Sequence, residues 1–256
     1  MKTLEPLDAR TLDAGNDVLS SAKHCRSWGT MTYEEFKKKI SDSKQNICRD
    51  VYRDNQDNIR IKKEKTAIKN FEKIFDAVFK ISYIKGFHAM SMRDLSSETG
   101  LSMGALYSYF KSKEELLGII QRQSRSMAKG VLADSLESIE DPLEKLSTVI
   151  KAHIYLSEMA RPWFFFTFME ARNLSEEELK SVQAMESFTE QIIVDILEDG
   201  EKKGVFKRGN HQLTASLIKA MQQDWYLKRW KYKKRNISVD TYADYIIDCV
   251  TSFCLA

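Results

Sequence analysis

Residues 86 to 117 read GFHAMSMRDLSSETGLSMGALYSYFKSKEELL, and this stretch decides the fold. Ser91, Ser102 and Ser112 each stand directly before a helical pattern, in the N-cap position that serine favours. Gly100 lies between the first two patterns, where glycine supplies the left-handed backbone of a tight turn. Two short helices joined by such a turn predict a helix-turn-helix, a motif whose second helix fits the major groove of DNA.

The spacing of polar and apolar residues sharpens this prediction. Asp94 and Glu115 stand three positions after the first and third of these serines, so both are predicted to complete capping boxes. Leu106 and Phe110 are four positions apart and are predicted to share one face of the second helix.

The order of these residues resembles the DNA-binding domain of the tetracycline-repressor (TetR) family of bacterial transcriptional regulators. The family's glycine and aromatic residue, followed by T-S-V-R-D-I-A, G-V-S-x-G-T-L-Y-x-Y-F and x-S-K-E-x-L, have counterparts here almost in register. The resemblance implies a helix-turn-helix domain followed by a helical domain for effector binding and dimerisation. In such a dimer the last two long helices pair with their copies in a four-helix bundle.

The resemblance also implies which residues contact double-stranded DNA. Tyr107 and Lys113 match the family's phosphate-contacting positions, and the turn that begins at Ser102 matches its base-facing positions. The predicted set is Ser91, Arg93, Ser102, Met103, Gly104, Ala105, Tyr107, Ser108, Tyr109 and Lys113. Methionine, alanine and serine replace a frequent lysine, threonine and histidine at 103, 105 and 108. Contact with thymine methyl groups, or recognition of DNA shape, is therefore expected to carry more of the specificity.

A second argument supports a phosphate contact by Lys113. It stands at the start of the third helix, where a positive charge opposes the helix macrodipole. A cation in that position suggests an external anion, and DNA phosphate is the natural candidate. The alternative is a solvated surface lysine. Within this motif we favour the phosphate contact.

The whole chain is predicted to be all-α, because every periodic segment has helical spacing and no strand-like alternation competes. We predict an N-terminal extension over 1–60, the DNA-binding domain over 61–125, and the effector-binding and dimerisation domain over 126–256. The first thirty residues are polar and aperiodic, which predicts partial disorder. Thr32 with Glu35 predicts a capping box and a short amphipathic helix, and Ile47 and Val51 continue on a second helical face.

A run of positive charges precedes the DNA-binding domain. Arg60, Lys62, Lys63 and Lys65 fall within six positions. One interpretation is a basic arm that reaches phosphates or a minor groove, by analogy with homeodomain arms. The other is a solvated helical extension docked on its own domain, which the mixed signs of the neighbouring charges favour.

Helix boundaries can also be predicted in the second domain. Asp141 is predicted to begin one helix, and Ser175 with Glu178 is predicted to form a capping box at the start of another. Gly200 and Gly204 are predicted to end that second helix.

A last helix is predicted to begin at Ser238. Apolar or weakly polar side chains recur along it with helical spacing, at Tyr242, Tyr245, Ile246, Cys249, Val250 and Phe253. This stripe suits a dimer interface, the alternative being intramolecular core.

Two features suggest a ligand. Large apolar side chains fill most positions from Trp163 to Met169, and a helix that is apolar all round is buried and is a candidate to line a cavity. The predicted effector-binding residues are Trp163, Phe166, Met169, Met185, Phe188, Met221 and Trp225; the alternative is ordinary core. The second feature is a basic cluster at 228–235. By analogy with family members that respond to acyl-CoA thioesters, it suits a phosphorylated tail such as that of coenzyme A; the alternative is a solvated helix end, where cations are favoured.

Other classes of protein are disfavoured. His24, His88, His153 and His211 lie far apart, and no phosphate-binding glycine loop or nucleophile elbow occurs, so we expect no enzyme, metal or cofactor. The net charge of +3 is too small to indicate a partner by itself. The charged N-terminus lacks a signal core, and the longest apolar stretch is too short for a membrane span. We expect a cytoplasmic protein with reduced cysteines at positions 25, 48, 249 and 254.

Together these features predict a dimeric transcriptional repressor. It would bind a palindromic operator and be released by a small hydrophobic effector, for which an acyl-CoA thioester is one candidate. The alternative is a DNA-binding protein of the same fold that acts without a small-molecule effector, as an architectural or protein-regulated factor.

Overall fold

The computed structural model describes residues 28–40, 43–57 and 59–256. The disorder predicted for the first thirty residues falls almost wholly outside these ranges, as do Cys25 and His24. Within them, the regular secondary structure is helical, with one isolated β-bridge between Phe206 and Leu255. The α-helices are α1 (Tyr33–Lys39), α2 (Ser43–Asp54), α3 (Glu64–Lys85), α4 (Met92–Thr99), α5 (Met103–Leu106), α6 (Lys113–Leu136), α7 (Pro142–Met159), α8 (Arg161–Glu170), α9 (Glu176–Lys202), α10 (His211–Leu227), α11 (Arg229–Lys234) and α12 (Val239–Cys254). The all-α prediction is confirmed.

The first hydrophobic core lies beneath the helix-turn-helix. One face of α3 is buried there, with Phe71, Ile74, Phe75 and Val78 almost inaccessible to solvent. Side chains from α2, α4, α5, α6 and α8 complete this core. The long helix α3 therefore holds the two short helices in place, which are too short to be stable alone.

The second core is built around α7. This helix is buried over most of its length and packs against α6, α9, α10 and α12. Asp141 caps its first turn by accepting a hydrogen bond from the backbone N–H of Glu144, as predicted. Ser238 caps α12 in the same way, and the stripe predicted on α12 divides. Tyr242, Ile246 and Val250 are buried, whereas Tyr245, Cys249 and Phe253 are exposed.

Two predicted capping boxes are only half formed. Ser112 and Ser175 cap α6 and α9, but the acidic partners do not reach back to them. Glu115 instead accepts a hydrogen bond from the backbone N–H of Lys111 at 2.5 Å. Glu178 turns to the arginines of α6, accepting from Arg122 at 2.9 Å and also pairing with Arg125. Hydrogen bonds to cations are stronger than those to amides, which explains the second departure.

Gly200 does not end α9, contrary to the prediction. The helix continues to Lys202, and Gly204 takes the positive φ of 72° just beyond its end. Gly200 serves packing instead, because a Cβ atom built there would lie 2.0 Å from the ring of Phe206. The glycine allows Phe206 to be buried directly against the helix backbone.

The N-terminal extension belongs to both cores. Thr32 and Glu35 form the predicted capping box on α1, which places Phe36 in the second core against Tyr155 of α7. Helix α2 buries Ile47 and Val51 in the first core. Helix α6 meanwhile runs through residue 125 without interruption, so the boundaries at 60 and 125 remain predictions that do not coincide with separate packing units.

Candidate nucleic-acid interface and the joint behind it

Side-chain hydrogen bonds hold the turn between α4 and α5. Ser96 Oγ donates to the carbonyl of Leu101 at 2.6 Å, and the N–H of Leu101 donates to Thr99 Oγ1 at 3.2 Å. Gly100 adopts the left-handed conformation, with φ 70° and ψ 11°. Ser91 and Asp94 form the predicted capping box at the start of α4. These local bonds fix the angle at which α5 leaves the turn.

Helix α5 is shorter than the sequence predicts. It ends at Leu106 and is followed by a turn, in which Ser108 Oγ donates to the carbonyl of Gly104 at 3.0 Å. Ser102 caps it by accepting from the N–H of Ala105. Leu106 and Phe110 are nevertheless both buried, because the turn rather than a continued helix brings them to the same side.

Nine of the ten predicted DNA-binding residues are exposed or half-buried. Ser102, Gly104 and Tyr107 are exposed, and Met103, Ala105 and Ser108 are half-buried. Ser91 and Arg93 are exposed at the start of α4.

Tyr109 is the exception, and its assignment to the DNA surface is wrong. Its side chain is 1% exposed, against 46% for Tyr107. The ring packs edge-on against Phe71, and its hydroxyl accepts a hydrogen bond from Asn70 Nδ2 at 2.8 Å. Because α5 ends at Leu106, the chain turns at 107–109 and directs Tyr109 into the first core.

Lys113 is already engaged within the protein. Its ammonium group donates to the carbonyl oxygens of His88 at 2.7 Å and Met90 at 3.3 Å, and lies over the ring of Phe87. These bonds tie the start of α6 to the loop before α4. They also explain a cation at a helix N-terminus without an external anion, so its phosphate contact stays a prediction that rests on the resemblance.

Helix α8 connects the two cores, which corrects the prediction that Trp163 and Phe166 line an effector cavity. Trp163 packs edge-on against Phe75 and Phe79 of α3, with ring centroids 4.9 and 5.2 Å apart. Phe166 contacts Phe79 and Phe87. Both side chains lie in the first core because α8 presents this face to the DNA-binding helices.

The other predicted effector residues are dispersed. Met169 and Phe188 are exposed, whereas Met185 and Met221 are half-buried. Trp225 is fully buried, but in an aromatic stack with Tyr232 and Tyr242. The structure therefore does not bring the predicted set together around one cavity.

The basic cluster at 228–235 is partly neutralised. Lys228 and Lys231 both pair with Asp224. Arg229 pairs with Glu158 at 3.1 Å and lies over the ring of Trp225. The exposed remainder, Lys233, Lys234 and Arg235, lies at the end of α11.

A buried polar cluster, which the sequence analysis did not identify, lies behind α8. It consists of His153 on α7, Thr189 on α9, and Lys219 and Gln222 on α10, all less than 9% exposed. Lys219 Nζ donates to Thr189 Oγ1 at 2.8 Å. His153 Nδ1 and both amide atoms of Gln222 are buried without a hydrogen-bond partner. Buried polar groups are nearly always paired, so this cluster requires an explanation.

Its electrostatics are also unusual. Burial, together with the nearby charge of Lys219, lowers the pKa of His153 well below its ordinary value, so the imidazole is neutral at pH 7. Burial likewise lowers the pKa of Lys219, although Glu186 opposes this shift. A ligand bearing an oxygen acceptor would satisfy the amide N–H groups of Gln222 and accept a further hydrogen bond from Lys219, which already binds Thr189 and pairs with Glu186. The histidine could have been singled out in the sequence, but nothing there indicated that α10 would face it.

Phe164 links this cluster to α8. Its ring packs edge-on against the imidazole of His153 and against Tyr226. Glu170, at the other end of α8, accepts a hydrogen bond from the backbone N–H of Phe87 at 3.3 Å. One ten-residue helix thus contacts both the polar cluster and Phe87, near the start of the helix-turn-helix segment.

Two clefts lie elsewhere, along α9 and α10. The more enclosed one has a volume of about 240 Å³, and its lining includes Phe206, Leu217 and Phe253. Leu217 and Tyr245 are 63% and 67% exposed, and Leu213 and Phe253 are also exposed. Helices α10 and α12 therefore each carry large exposed apolar side chains on their outer faces.

Comparison with known proteins identifies the family. The family model of bacterial regulatory proteins of the tetR family matches residues 74–118. That of the tetracyclin repressor-like C-terminal domain matches residues 140–252. The chain belongs to the tetracycline-repressor family. Members of this family are DNA-binding regulators and not enzymes, which confirms that prediction.

Individual proteins are also similar to this chain in sequence or in fold. The transcriptional repressor KstR2 of Mycolicibacterium smegmatis is 28% identical over 149 residues, which are 57% of this chain and 71% of that protein. The solved structure of FadR from Bacillus subtilis in complex with stearoyl-CoA has a TM-score of 0.57 and 20% identity, covering 71% of this chain and 98% of FadR. AibR in complex with isovaleryl coenzyme A and operator DNA has a TM-score of 0.62 and 16% identity, covering 70% and 97%. At such identities these two structures show the shared fold alone.

Two further observations concern the described part of this TetR-family chain. None of its described helices has the length and apolar character needed to cross a bilayer. Within the described ranges, His, Cys, Asp and Glu side chains form no group of three or more that could hold a metal ion.

Proposed function

We propose that this regulator is a dimeric, cytoplasmic repressor that binds a palindromic operator and releases it when a small acyl effector binds behind α8. The observation that carries the proposal is the position of α8 between two sites. Trp163 and Phe166 face the DNA-binding core, whereas Phe164 faces the buried polar cluster.

The DNA contacts follow from the exposed surface of the helix-turn-helix. Ser102, Gly104 and Tyr107 provide an exposed hydroxyl, an open backbone and a second hydroxyl. Such groups position a protein on phosphates and base edges, and Met103 and Ala105 suit thymine methyl groups. A four-residue recognition helix reads few bases, so paired copies are needed for useful affinity.

The paired copies would meet on α10 and α12. The exposed side chains of Leu213, Leu217, Tyr245 and Phe253 form apolar surfaces that dimerisation would remove from water. The resemblance to the family supports this choice, because its members pair through their last two long helices. A two-fold dimer also matches the symmetry of a palindromic operator.

The effector is proposed to bind at the polar cluster with an oxygen-bearing group. A thioester or carboxylate oxygen would accept hydrogen bonds from Lys219 and from the amide of Gln222. FadR with stearoyl-CoA and AibR with isovaleryl coenzyme A support an acyl-CoA thioester as the effector class. The exposed cations at the end of α11 are candidates to hold its phosphates.

Release of DNA would be transmitted through α8. Displacement of Phe164 by a ligand would shift α8, which holds the backbone of Phe87 through Glu170. A hundredfold loss of DNA affinity requires a coupling free energy of only about 2.7 kcal/mol.

The experiment is a fluorescence-anisotropy titration of the full chain with DNA from upstream of its own gene. Stearoyl-CoA, isovaleryl-CoA and free coenzyme A are then added as probes. We expect salt-sensitive binding that an acyl-CoA releases and free coenzyme A does not. Loss of this release in Lys219→Met, with DNA affinity retained, would assign the effector to the cluster.

A second candidate function is supported by the tight packing of the second core. Trp225, which the sequence predicted to line a cavity, instead packs against Tyr232 and Tyr242 in the second core. This favours an effector-independent DNA-binding protein of the same fold. Specific DNA binding that none of the acyl-CoA probes alters would favour this alternative. No specific binding to the upstream DNA would contradict autoregulation, and no specific binding to duplexes selected from random DNA either would contradict both functions.

A further inference from the structure

We propose that Arg60, Lys62, Lys63 and Lys65 form a second DNA-contacting element, the basic arm, which binds the phosphate backbone beside the base pairs met by α5. The inference goes beyond the effector-controlled repression proposed above and rests only on DNA binding. The surface it adds belongs to the segment between α2 and the first turn of α3.

The backbone of the basic arm is attached to the recognition element. The N–H of Arg60 donates to the carbonyl of Ser108 at 3.0 Å, just beyond the end of α5. Ile59, one residue earlier, is 2% exposed in the first core. The carbonyl of Lys62 accepts a hydrogen bond from the hydroxyl of Tyr52 on α2 at 3.3 Å. The arm is thus held beside the predicted DNA surface.

The side chains of the basic arm remain available. All four cations are exposed to solvent, although the backbone that carries them is fixed at the points just described. Because the backbone is already fixed, less conformational entropy is lost when the side chains bind DNA. This favours a role in binding over a role in solubility alone.

The charge distribution also calls for an external anion. Lys62, Lys63 and Lys65 surround the N-terminus of α3, where the helix macrodipole disfavours cations. Glu64 is the one acidic residue between Arg60 and Lys65, and its carboxylate lies 3.6 Å from Arg49 of α2. The arm therefore presents uncompensated positive charge next to Ser108, where the nearest polyanion in the DNA complex is the phosphate backbone.

This position explains the role of the N-terminal extension. Helix α2 supplies both Tyr52, which binds the arm, and Arg49, which engages its acidic residue. The docked extension and the DNA-contacting arm are therefore compatible, and the two interpretations of the sequence describe different parts of one segment. The chemistry recognised is that of phosphate diesters, so the arm adds affinity without base preference.

The test compares two charge-matched variants of the full chain. The arm variant carries Arg60→Gln, Lys62→Gln, Lys63→Gln and Lys65→Gln. The control carries Lys38→Gln, Lys129→Gln, Lys180→Gln and Lys202→Gln, four exposed lysines remote in sequence from the helix-turn-helix. Both are titrated against a fluorescent duplex selected by the wild-type chain from random DNA, between about 50 and 200 mM salt.

We expect the arm variant to bind at least about tenfold more weakly than the control. Removing one phosphate interaction reduces the slope of log affinity against log salt by roughly 1. Losing two such interactions in each half-site should therefore reduce the slope for the dimer by roughly 4. Equal affinities and slopes for the two variants would overturn the proposal. Wild-type binding in the same titration reports separately on the proposed function.

Two further measurements separate phosphate contact from a structural role. A charge-conserving variant, with Arg60→Lys, Lys62→Arg, Lys63→Arg and Lys65→Arg, should keep the wild-type slope, and a reduced slope would indicate packing rather than charge. A duplex trimmed to the palindrome should weaken the wild type but not the arm variant. Equal weakening of both proteins would overturn the assignment to flanking phosphates. Circular-dichroism melting checks that each variant is folded.

Discussion

The helix-turn-helix and the polar cluster behind α8 are built from contacts of very different range. In the helix-turn-helix, Ser91 bonds to Asp94 and Ser96 bonds to Leu101, three and five positions apart. In the cluster, Lys219 bonds to Thr189 across 30 positions, and Phe164 of α8 contacts Tyr226 of α10. The first site is a local structure, whereas the second exists only when α7, α9 and α10 pack together.

This difference teaches where function can be controlled. A locally bonded element keeps its shape while its surroundings move, which suits a rigid DNA-reading surface. A site assembled from several helices changes when any one of them shifts, which suits a regulatory input. Helix α8 lies between the two sites and directs one face toward each. Substitutions on α8 are therefore expected to test this comparison with the largest effect.

Trp163→Ala should have the largest effect on stability. Removing the indole from between Phe75 and Phe79 leaves a cavity in the first core, so we expect the free energy of unfolding to fall by about 3–5 kcal/mol. Urea denaturation followed by circular dichroism measures this. The matched variant Phe168→Ala removes an exposed aromatic side chain from the same helix and should cost less than about 1 kcal/mol. Equal losses would contradict the assignment of distinct faces to α8.

Lys219→Met should stabilise the protein. The lysine is buried, whereas its ion-pair partner Glu186, 3.7 Å away, is exposed and stays hydrated when the lysine is removed. Replacing the buried ammonium with an apolar side chain of similar shape should therefore stabilise the fold by about 1–2 kcal/mol. Thr189 keeps a hydrogen bond to the carbonyl of Glu186, so its hydroxyl is not left unpaired. The same denaturation experiment measures the change in the free energy of unfolding. The control, Lys180→Met, replaces an exposed lysine and should change that free energy by nearly zero. A clear loss of stability would mean that Lys219 has a structural rather than a ligand-binding role.

His153 should make stability depend on pH in the acidic range. Burial, with the charge of Lys219 beside it, lowers the pKa of the folded-state imidazole below its unfolded value near 6.5. Below pH 6.5 the unfolded chain binds a proton that the folded chain excludes, so stability falls as pH falls and is highest above that pH. The slope from this residue is at most about 1.4 kcal/mol per pH unit.

His153→Gln should flatten that pH dependence between pH 6.5 and 5. The measurement is the free energy of unfolding at several pH values. His88→Gln, which replaces an exposed histidine, is the control for the loss of one histidine. An unchanged slope in His153→Gln would show that the imidazole is hydrated or paired in the folded protein.

The two tyrosines of the turn after α5 should separate stability from DNA binding. Tyr109→Phe removes the acceptor of the hydrogen bond from Asn70 and should cost about 1 kcal/mol of stability without changing DNA affinity. Tyr107→Phe should leave stability unchanged and weaken DNA binding severalfold, because its hydroxyl is exposed. Reversed effects would exchange the roles of the two residues.

The sequence by itself determined the helix starts, the glycine turn and the class of the protein. Caps such as Ser91 with Asp94 and the left-handed Gly100 depend on neighbours within one helical turn, so their spacing is visible in the chain. The exposure of the proposed recognition residues follows from the same local structure, except at Tyr109. The burial of its side chain depends on where α5 ends.

Only the tertiary structure decided what the long side chains contact. Helix α8 is apolar on almost every side, so its sequence could not distinguish Trp163, which packs on α3, from Phe164, which faces the cluster. The polar cluster escaped prediction because His153 and Lys219 carry no local signal of their burial. The basic arm shows the same division: its charges are evident in the sequence, but the bond from Arg60 to Ser108 that places them beside α5 forms only when the chain folds back on itself.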